Sequence, residues 1–308
     1  MKADGVTVSR RAFLGGVAAF GAASAMPGKG FGAEAKPDSR FGGVQIGTIT
    51  YSYRSMPGDA ASVLKHVVGS GVSSIELMGN TVESFAGFPG GNAKEPEKAK
   101  AMLEWRLAAP MDKFEAFRKM YQDAGVGIHI VKFGDIGNKD MPDGQIEYYF
   151  RVAKALGAPC ITREVCDEAT ANRLGPLADK HGVKVAFHNH MQINATTYDG
   201  ALLSSGKNLA INLDIGHYVA ANDDSVLAVI EKYHNRIFSL HLKDRKRGKG
   251  PNMPFGEGDT PVAAALQLLK KARLPIFADI ELEYPVPADS DAVKEVAKCV
   301  LFCKQALA

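Results

Sequence analysis

The chain has 308 residues, of which 46% are hydrophobic and 23% are charged. This composition is ordinary for a globular protein with a full apolar core, so it excludes a disordered or fibrous chain. Lysine and arginine (37) exceed aspartate and glutamate (34) by only three. So small a surplus gives no broad basic surface, and we expect no nucleic-acid partner.

The first 35 residues have the pattern of an export leader. Arg10 and Arg11 precede a Gly/Ala-rich apolar stretch, and Ala33-Glu34-Ala35 is an A-x-A cleavage pattern. The pattern predicts a twin-arginine signal peptide over residues 1–35 and a mature protein in the periplasm or outside the cell. The apolar stretch is too short to span a bilayer comfortably, so we expect no stable membrane span after cleavage.

Strand and helix patterns alternate through the rest of the chain. Eight apolar runs predict strands over Gly43–Tyr51, Ser74–Met78, Gly127–Phe133, Pro159–Val165, Lys184–His190, Leu209–His217, Ser239–Asp244 and Phe277–Tyr284. The intervals predict helices over Asp59–Ser70, Met111–Ala124, Asp143–Leu156, Ala169–His181, Tyr198–Ser205, Asp224–Tyr233, Thr260–Lys271 and Asp289–Leu307. Repeated strand–helix units indicate a parallel sheet, and eight of them predict a single (β/α)₈ TIM barrel over residues 40–308.

One segment, Gly79–Ala109, interrupts this alternation. It is glycine-rich at first, then charged, and it contains the only tryptophan, Trp105. An insertion after a barrel strand lies beside the mouth, so we interpret it as a lid or substrate loop. The alternative is a surface excursion without function.

Metal-competent side chains end the last five predicted strands. Because alternate residues of a strand share a face, these residues point into the barrel: Glu164, His188, Asp214, His241 and Glu281. Imidazole together with carboxylate suits a divalent metal such as Mn²⁺, Co²⁺, Zn²⁺ or Fe²⁺. We expect Glu164, Asp214, His241 and Glu281 to hold it and His188 and Glu281 to act in catalysis. The sequence leaves open whether Glu164 or His188 is the fourth ligand.

Further polar residues on the inward faces are candidates for the substrate site. Lys243 shares a strand face with His241, and we predict a catalytic role for it. Arg245 and Arg247 could contact a substrate oxyanion or belong to a solvated loop. Candidate substrate-binding residues are His190, Glu283, Glu76 and His129.

Five short motifs give the chain a likeness to a known family. They are FHNH (Phe187–His190), LDIGH (Leu213–His217), HLKD (His241–Asp244), FGEGD and IELEY. From Gly43 to Leu307 it resembles the xylose-isomerase-like barrel superfamily, with its sugar phosphate isomerases and epimerases, inosose dehydratases and endonuclease IV. In the ketose epimerases, Glu, Asp, His and Glu hold the metal. Asp214, His241 and Glu281 match the last three. The first position is His188 here, as in the inosose-dehydratase-like branch.

The resemblance also implies a substrate and a reaction. The histidine three residues after the aspartate ligand, His217 here, is expected to touch substrate hydroxyls. We expect a divalent-metal-dependent sugar isomerase/epimerase that enolises a carbonyl sugar, with a small-molecule carbohydrate as its partner and an oligomer compatible with the sequence.

Two alternatives stay open. The first is a sugar lyase or dehydratase that performs β-elimination on a 3-keto-glycoside or an inosose, because elimination needs only one base and one acid. The second is a non-catalytic sugar-binding barrel. A DNA-repair phosphodiesterase is disfavoured because the net charge is modest and export separates the protein from the genome.

Overall fold

A computed structural model describes residues 36–92 and 94–308, so the predicted leader lies outside the described residues. The strands in this part of the chain are β1 Arg40–Phe41, β2 Val44–Ile49, β3 Ser74–Met78, β4 Gly127–Lys132, β5 Cys160–Glu164, β6 Lys184–His188, β7 Leu209–Asp214, β8 Ile237–Leu242, β9 Asp244–Arg245, β10 Asn252–Met253 and β11 Phe277–Ile280. Eight of them, β2 to β8 and β11, pair in parallel, and the β2–β3 pairing closes the ring. The predicted (β/α)₈ TIM barrel is confirmed.

Helices surround this ring. They are α1 Ala60–Gly69, α2 Gly79–Ala86, α3 Pro96–Ala108, α4 Asp112–Asp123, α5 Asp143–Leu156, α6 Glu168–His181, α7 Ile215–Ala221, α8 Val226–Tyr233, α9 Val262–Ala272 and α10 Ala292–Ala306. Several begin at an aspartate whose carboxylate accepts a backbone N–H of the first turn, as Asp59 does from Ser62. None of the helices described is long and apolar enough to cross a membrane.

Two local predictions between β6 and α8 are wrong. The helix expected over Tyr198–Ser205 is only a 3₁₀ turn, Ala201–Leu203. Asn194 accepts the backbone N–H of Thr196 through its side chain, and such local bonds compete with a helix. The strand expected to reach His217 instead ends at Asp214, where α7 starts at once.

A register shift in β4 decides which of its side chains enter the barrel. Ile75 of β3 pairs with Ile128, but the next residue, Glu76, pairs with Ile130, so His129 is an extra residue in β4. Such bulges redirect side chains. His129 still points inward, and beyond it the alternation is reversed, so that Lys132 rather than Phe133 reaches the mouth.

The segment Gly79–Ala109 forms α2 and α3 and packs on the outer helical layer. Glu83 of α2 receives two hydrogen bonds from Arg106 of α3, at 2.8 and 3.0 Å, and a third from Tyr148 of α5. The Trp105 ring meets the Tyr148 ring edge to face. A buried ion pair therefore fixes this insertion, and its predicted role as a lid stays a prediction.

Candidate metal centre

Four side chains meet at the carboxyl ends of β6, β7, β8 and β11. They are His188, Asp214, His241 and Glu281, and one donor atom from each lies within 4.8 Å of all the others. All four are buried. Parallel pairing places the strand ends side by side. Asp214 of β7 is in register with His241 of β8. On the other side of β8, His241 is in register with Asp279 of β11, which precedes Glu281 by two residues. Three of the four ligands predicted from sequence thus come together, and His188 joins them.

Asn212 controls the ring of His188. The Nδ1 of His188 lies 2.7 Å from Asn212 Oδ1, a carbonyl oxygen that can only accept, so Nδ1 carries the proton. The lone pair of Nε2 is then available to an ion. Burial, reinforced by the charges of Lys132 and His241, holds the pKa of His188 well below its ordinary value. His188 is therefore a neutral imidazole, as a metal ligand must be.

His241 lies between two carboxylates. Its Nε2 donates to Glu76 Oε2 at 2.7 Å, and its Nδ1 lies 2.9 Å from Glu281 Oε2. Burial lowers the pKa of His241, but the two carboxylates outweigh burial and hold that pKa well above its ordinary value. An ion that binds at Nδ1 must displace a proton there.

Asp214 has two roles because it ends β7 and begins α7. Its Oδ1 accepts the backbone N–H of His217 at 2.7 Å and so caps the helix. Its Oδ2 is buried and receives no hydrogen bond of acceptable geometry within the described residues. The Lys243 ammonium lies 2.9 Å from this oxygen as its ion-pair partner, and a bound metal ion would compete with that ammonium for the carboxylate.

The ammonium of Lys243 lies beside this group. Its Nζ is 2.9 Å from Asp214 Oδ2, 3.0 Å from Glu281 Oε2 and 2.7 Å from Glu283 Oε2, and its side chain is only 2% exposed. Burial lowers the pKa of Lys243, but these carboxylates outweigh burial and raise it, so the ammonium stays charged. The same ammonium and His241 hold the pKa of Glu281 well below its ordinary value although burial opposes them.

A second group lies on the other side of His188. Glu164, in register with His188, has its carboxylate 2.9 Å from Lys132 Nζ and 3.3 Å from His190 Nε2. Donor atoms of Glu164, His188 and His190 also lie within 4.8 Å of one another. The Glu164 side chain is 38% exposed. The structure therefore puts Glu164 at the open mouth and His188 in the buried group, and His188 belongs to both clusters.

Other predicted residues are distributed between the mouth and the interior. His217 lies at the mouth, with Nε2 2.9 Å from Lys243 and Nδ1 2.7 Å from Arg245, and burial together with Lys243 lowers its pKa to about 3. Arg247 instead donates to the Asn222 carbonyl at the surface. Glu283 is bound to Lys243, as given above.

Two residues predicted to bind substrate lie below the mouth of the barrel, and their role in substrate binding stays a prediction. Glu76 is fully buried beneath His241. His129 bonds to Ser74 and Asp279 and stacks on Phe277, the first residue of β11, so it lies towards the opposite end of the barrel. Alternation identified both as inward-facing, but it does not give depth along the barrel.

Asp244, the last residue of HLKD, has a structural role. Its carboxylate accepts the backbone N–H groups of Gly256, Gly258 and Thr260 and so anchors the long loop that follows β8. A Cβ at Gly258 would overlap with that carboxylate. The FGEGD motif is therefore the partner of Asp244 and fixes the loop next to Lys243.

The donor set fits a divalent cation. Two neutral imidazole nitrogens become available at His188 and His241, and Asp214 and Glu281 add carboxylate oxygens, a combination suited to Mn²⁺, Co²⁺, Zn²⁺ or Fe²⁺. Sequence reasoning missed Asn212 and Lys132. Asn212 had a detectable signal, since it shares the inward face with Asp214, whereas the bulge that turns Lys132 inward had none.

The fold and this site define a (β/α)₈ barrel with a candidate metal centre at the carboxyl ends of its strands. Residues 97–302 match the family described as xylose isomerase-like TIM barrel, and the chain belongs to that family.

Similar proteins include inosose dehydratases. The enzyme of Clostridium perfringens is 38% identical over 82 residues, which cover 25% of this chain and 27% of that protein. The enzyme of Geobacillus thermodenitrificans is 32% identical over 139 residues, which cover 43% of this chain and 44% of that protein. Both matches span less than half of the relatives' length. The solved structure of the probable 3-DHS dehydratase AsbF of Bacillus anthracis has a TM-score of 0.61 at 15% identity, covering 84% of this chain and 99% of that one, a likeness of fold alone.

Proposed function

We propose that this protein is a divalent-metal-dependent enzyme that enolises a carbonyl sugar or cyclitol and then eliminates a β-substituent. The observation that carries the proposal is the convergence of His188, Asp214, His241 and Glu281, whose donor atoms all lie within 4.8 Å of one another. We infer that these four residues hold the ion. When bound, the ion would polarise the substrate carbonyl and stabilise negative charge on its oxygen.

Residues on the two sides of the site would stabilise the enolate and remove the proton, respectively. Lys243 is buried and permanently charged, so it adds electrostatic stabilisation to the enolate oxygen rather than donating a proton. Glu164 is the more exposed carboxylate and is held by Lys132 and His190, which suits a general base that meets substrate at the mouth.

Elimination can then proceed without an oxidant or reductant. The C–H bond next to the carbonyl breaks, its proton passes to Glu164, and its electron pair forms the enolate. As the enolate collapses, a carbon–carbon double bond forms and the β-carbon–oxygen bond breaks. The departing oxygen takes a proton from His190. Because Nε2 of His190 is 3.3 Å from the Glu164 carboxylate, Glu164 can then return its proton to His190. The products are an unsaturated carbonyl compound and water or an alcohol.

Two features support elimination. His188 stands where the ketose epimerases have a ligand carboxylate, and the sequence relatives include inosose dehydratases. Isomerisation or epimerisation is the second candidate, and it is favoured by Glu164 and Glu281 lying on opposite sides of His188, where one could remove a proton and the other return it. We also propose, from residues 1–35, that the barrel works outside the cytoplasm on an unphosphorylated carbohydrate.

One experiment separates these outcomes. The protein, loaded with Mn²⁺, Co²⁺, Zn²⁺ or Fe²⁺, is incubated in D₂O with ketoses, inososes and 3-keto-glycosides, and the products are followed by NMR. Elimination gives an alkene signal with release of water or aglycone, and epimerisation gives deuterium on carbon without release. Asp214→Asn should abolish either signal. Sugar binding by calorimetry without exchange or release would instead identify a non-catalytic barrel and overturn the proposal.

A further inference from the structure

Below the four candidate ligands lies a carboxylate that the reaction does not use. Glu76 is fully buried, and its Oε2 accepts from His241 Nε2 at 2.7 Å and from Asn212 Nδ2 at 3.2 Å. Its Oε1 accepts from the Thr162 hydroxyl at 2.5 Å. Because Glu76 is fully buried and both of its oxygens are held by neighbouring side chains, it does not reach the open mouth of the barrel.

Glu76 determines which nitrogen of His241 carries the proton when the ring is neutral. An ionised carboxylate can only accept hydrogen bonds, so Nε2 must carry a proton in order to donate to it. When His241 is neutral, the lone pair is therefore on Nδ1, the nitrogen that faces Glu281. A carboxylate behind a histidine in this way fixes the tautomer of a metal ligand.

The same carboxylate also influences His188 indirectly, through hydrogen bonds of Asn212. Because Glu76 only accepts, the amide group turned towards it must be the NH₂ of Asn212, which also donates to Ser239 Oγ at 2.6 Å. The carbonyl of Asn212 then faces His188 and accepts from its Nδ1 at 2.7 Å. His188 is left with its lone pair on Nε2. One buried charge thus sets the tautomers of two rings on different strands.

We propose that Glu76 is a positioning residue that presents both imidazole ligands of the metal centre in their binding tautomers. The inference rests on the metal centre that the proposed function requires. Glu76 lies outside the group of four candidate ligands, and it acts on His241 directly and on His188 through Asn212. Substituting such an outer partner typically weakens metal binding about 10- to 100-fold.

The test is metal binding by Glu76→Gln, which keeps the shape of the side chain and removes its charge. Affinity is measured by competition with a chromophoric chelator, and the visible spectrum of the Co²⁺ protein reports the ligand geometry. We expect a Kd for Co²⁺ about 10- to 100-fold higher and an altered Co²⁺ spectrum. The matched control is Glu83→Gln, which removes another buried carboxylate from the outer layer, where it pairs with Arg106. The control should leave both readings unchanged.

A second variant keeps the test decisive if Glu76→Gln does not fold. Asn212→Leu leaves the bond from His241 to Glu76 in place and removes the amide that links Glu76 to His188 and also donates to Ser239. It should therefore weaken metal binding by a smaller factor. If the natural protein binds metal and these variants bind it equally well with the same Co²⁺ spectrum, the role of Glu76 is overturned while the proposed function stands. If the natural protein binds no metal, the proposed function itself fails.

Discussion

Replacing Lys243 by methionine should make the protein bind metal more tightly while making it less stable and less active. Methionine keeps most of the length of the side chain and removes the ammonium. That ammonium lies 2.9 Å from Asp214 Oδ2 and 3.0 Å from Glu281 Oε2. A divalent ion bound to the same oxygens would compete with it, so the two cations disfavour each other.

The sizes of the effects follow from burial. Removing one partner of a buried ion pair typically costs about 3–5 kcal/mol, and Lys243 is almost completely buried among its carboxylates. The metal-free variant should lose about that much unfolding free energy. Two unit charges about 4 Å apart interact by about 4 kcal/mol at an effective dielectric constant near 20, so the gain in metal affinity should be at least about tenfold. Loss of the charge near the enolate oxygen should lower kcat by about 100-fold or more.

Urea denaturation with EDTA and with saturating Mn²⁺ measures the two stabilities, and chelator competition measures the affinity. The deficit in unfolding free energy should shrink when metal is present, because the ion replaces the missing charge. Arg106→Met is the control, since it breaks a buried pair with Glu83 away from the site. It should lower stability equally with and without metal and leave metal affinity unchanged. Weaker metal binding by Lys243→Met would refute the competition described here.

Three further predictions concern pH, the loop after β8 and export. His217 has its pKa lowered to about 3 by burial and the neighbouring ammonium, so its contribution to stability is complete above pH 6.5 and is lost as pH falls towards 3. In urea titrations with EDTA, the unfolding free energy of His217→Gln should therefore fall by about 1–2 kcal/mol less than that of the natural protein between pH 7 and pH 4. Equal decreases in unfolding free energy would contradict this. Gly258→Ala should lower the unfolding free energy by about 2 kcal/mol or more, because its methyl group overlaps with the Asp244 carboxylate; unchanged thermal unfolding would contradict it. Replacing Arg10 and Arg11 by lysine should retain the full-length protein in the cytoplasm, as measured by cell fractionation, and unchanged export would remove the basis for a twin-arginine leader.

The sequence predicted the barrel and three of the four residues of the candidate metal centre because both depend on short-range patterns. Asp214, His241 and Glu281 each stand next to a large apolar residue of their strand, so alternation turns the apolar residue to one face and the polar residue to the other. Parallel pairing then brings these ends together at one rim. Nothing beyond strand periodicity and a closed sheet is needed for that result.

The fourth ligand could not be predicted in the same way. Glu164 and His188 are directly paired on adjacent strands, so periodicity gives them the same face and the same depth. What separates them is tertiary structure. Asn212 binds His188 from below, whereas Lys132 and His190 hold Glu164 towards solvent. Lys132 itself reaches the mouth only because of the bulge at His129, and a single extra residue in a parallel strand leaves no mark in the hydrophobic pattern.

The balance of charge around the site is the strongest reason to expect a cation there. The carboxylates of Glu76, Asp214, Glu281 and Glu283 surround one ammonium, that of Lys243, and one imidazole, that of His241. Four carboxylates thus contact two cationic side chains, and three of the carboxylates are almost completely buried, which raises the pKa of Asp214. Uncompensated buried charge is costly, so an uncharged sugar alone would leave this imbalance in place. A divalent ion held by His188, Asp214, His241 and Glu281 would offset this excess of carboxylates at the carboxyl ends of the strands, where a barrel binds substrate.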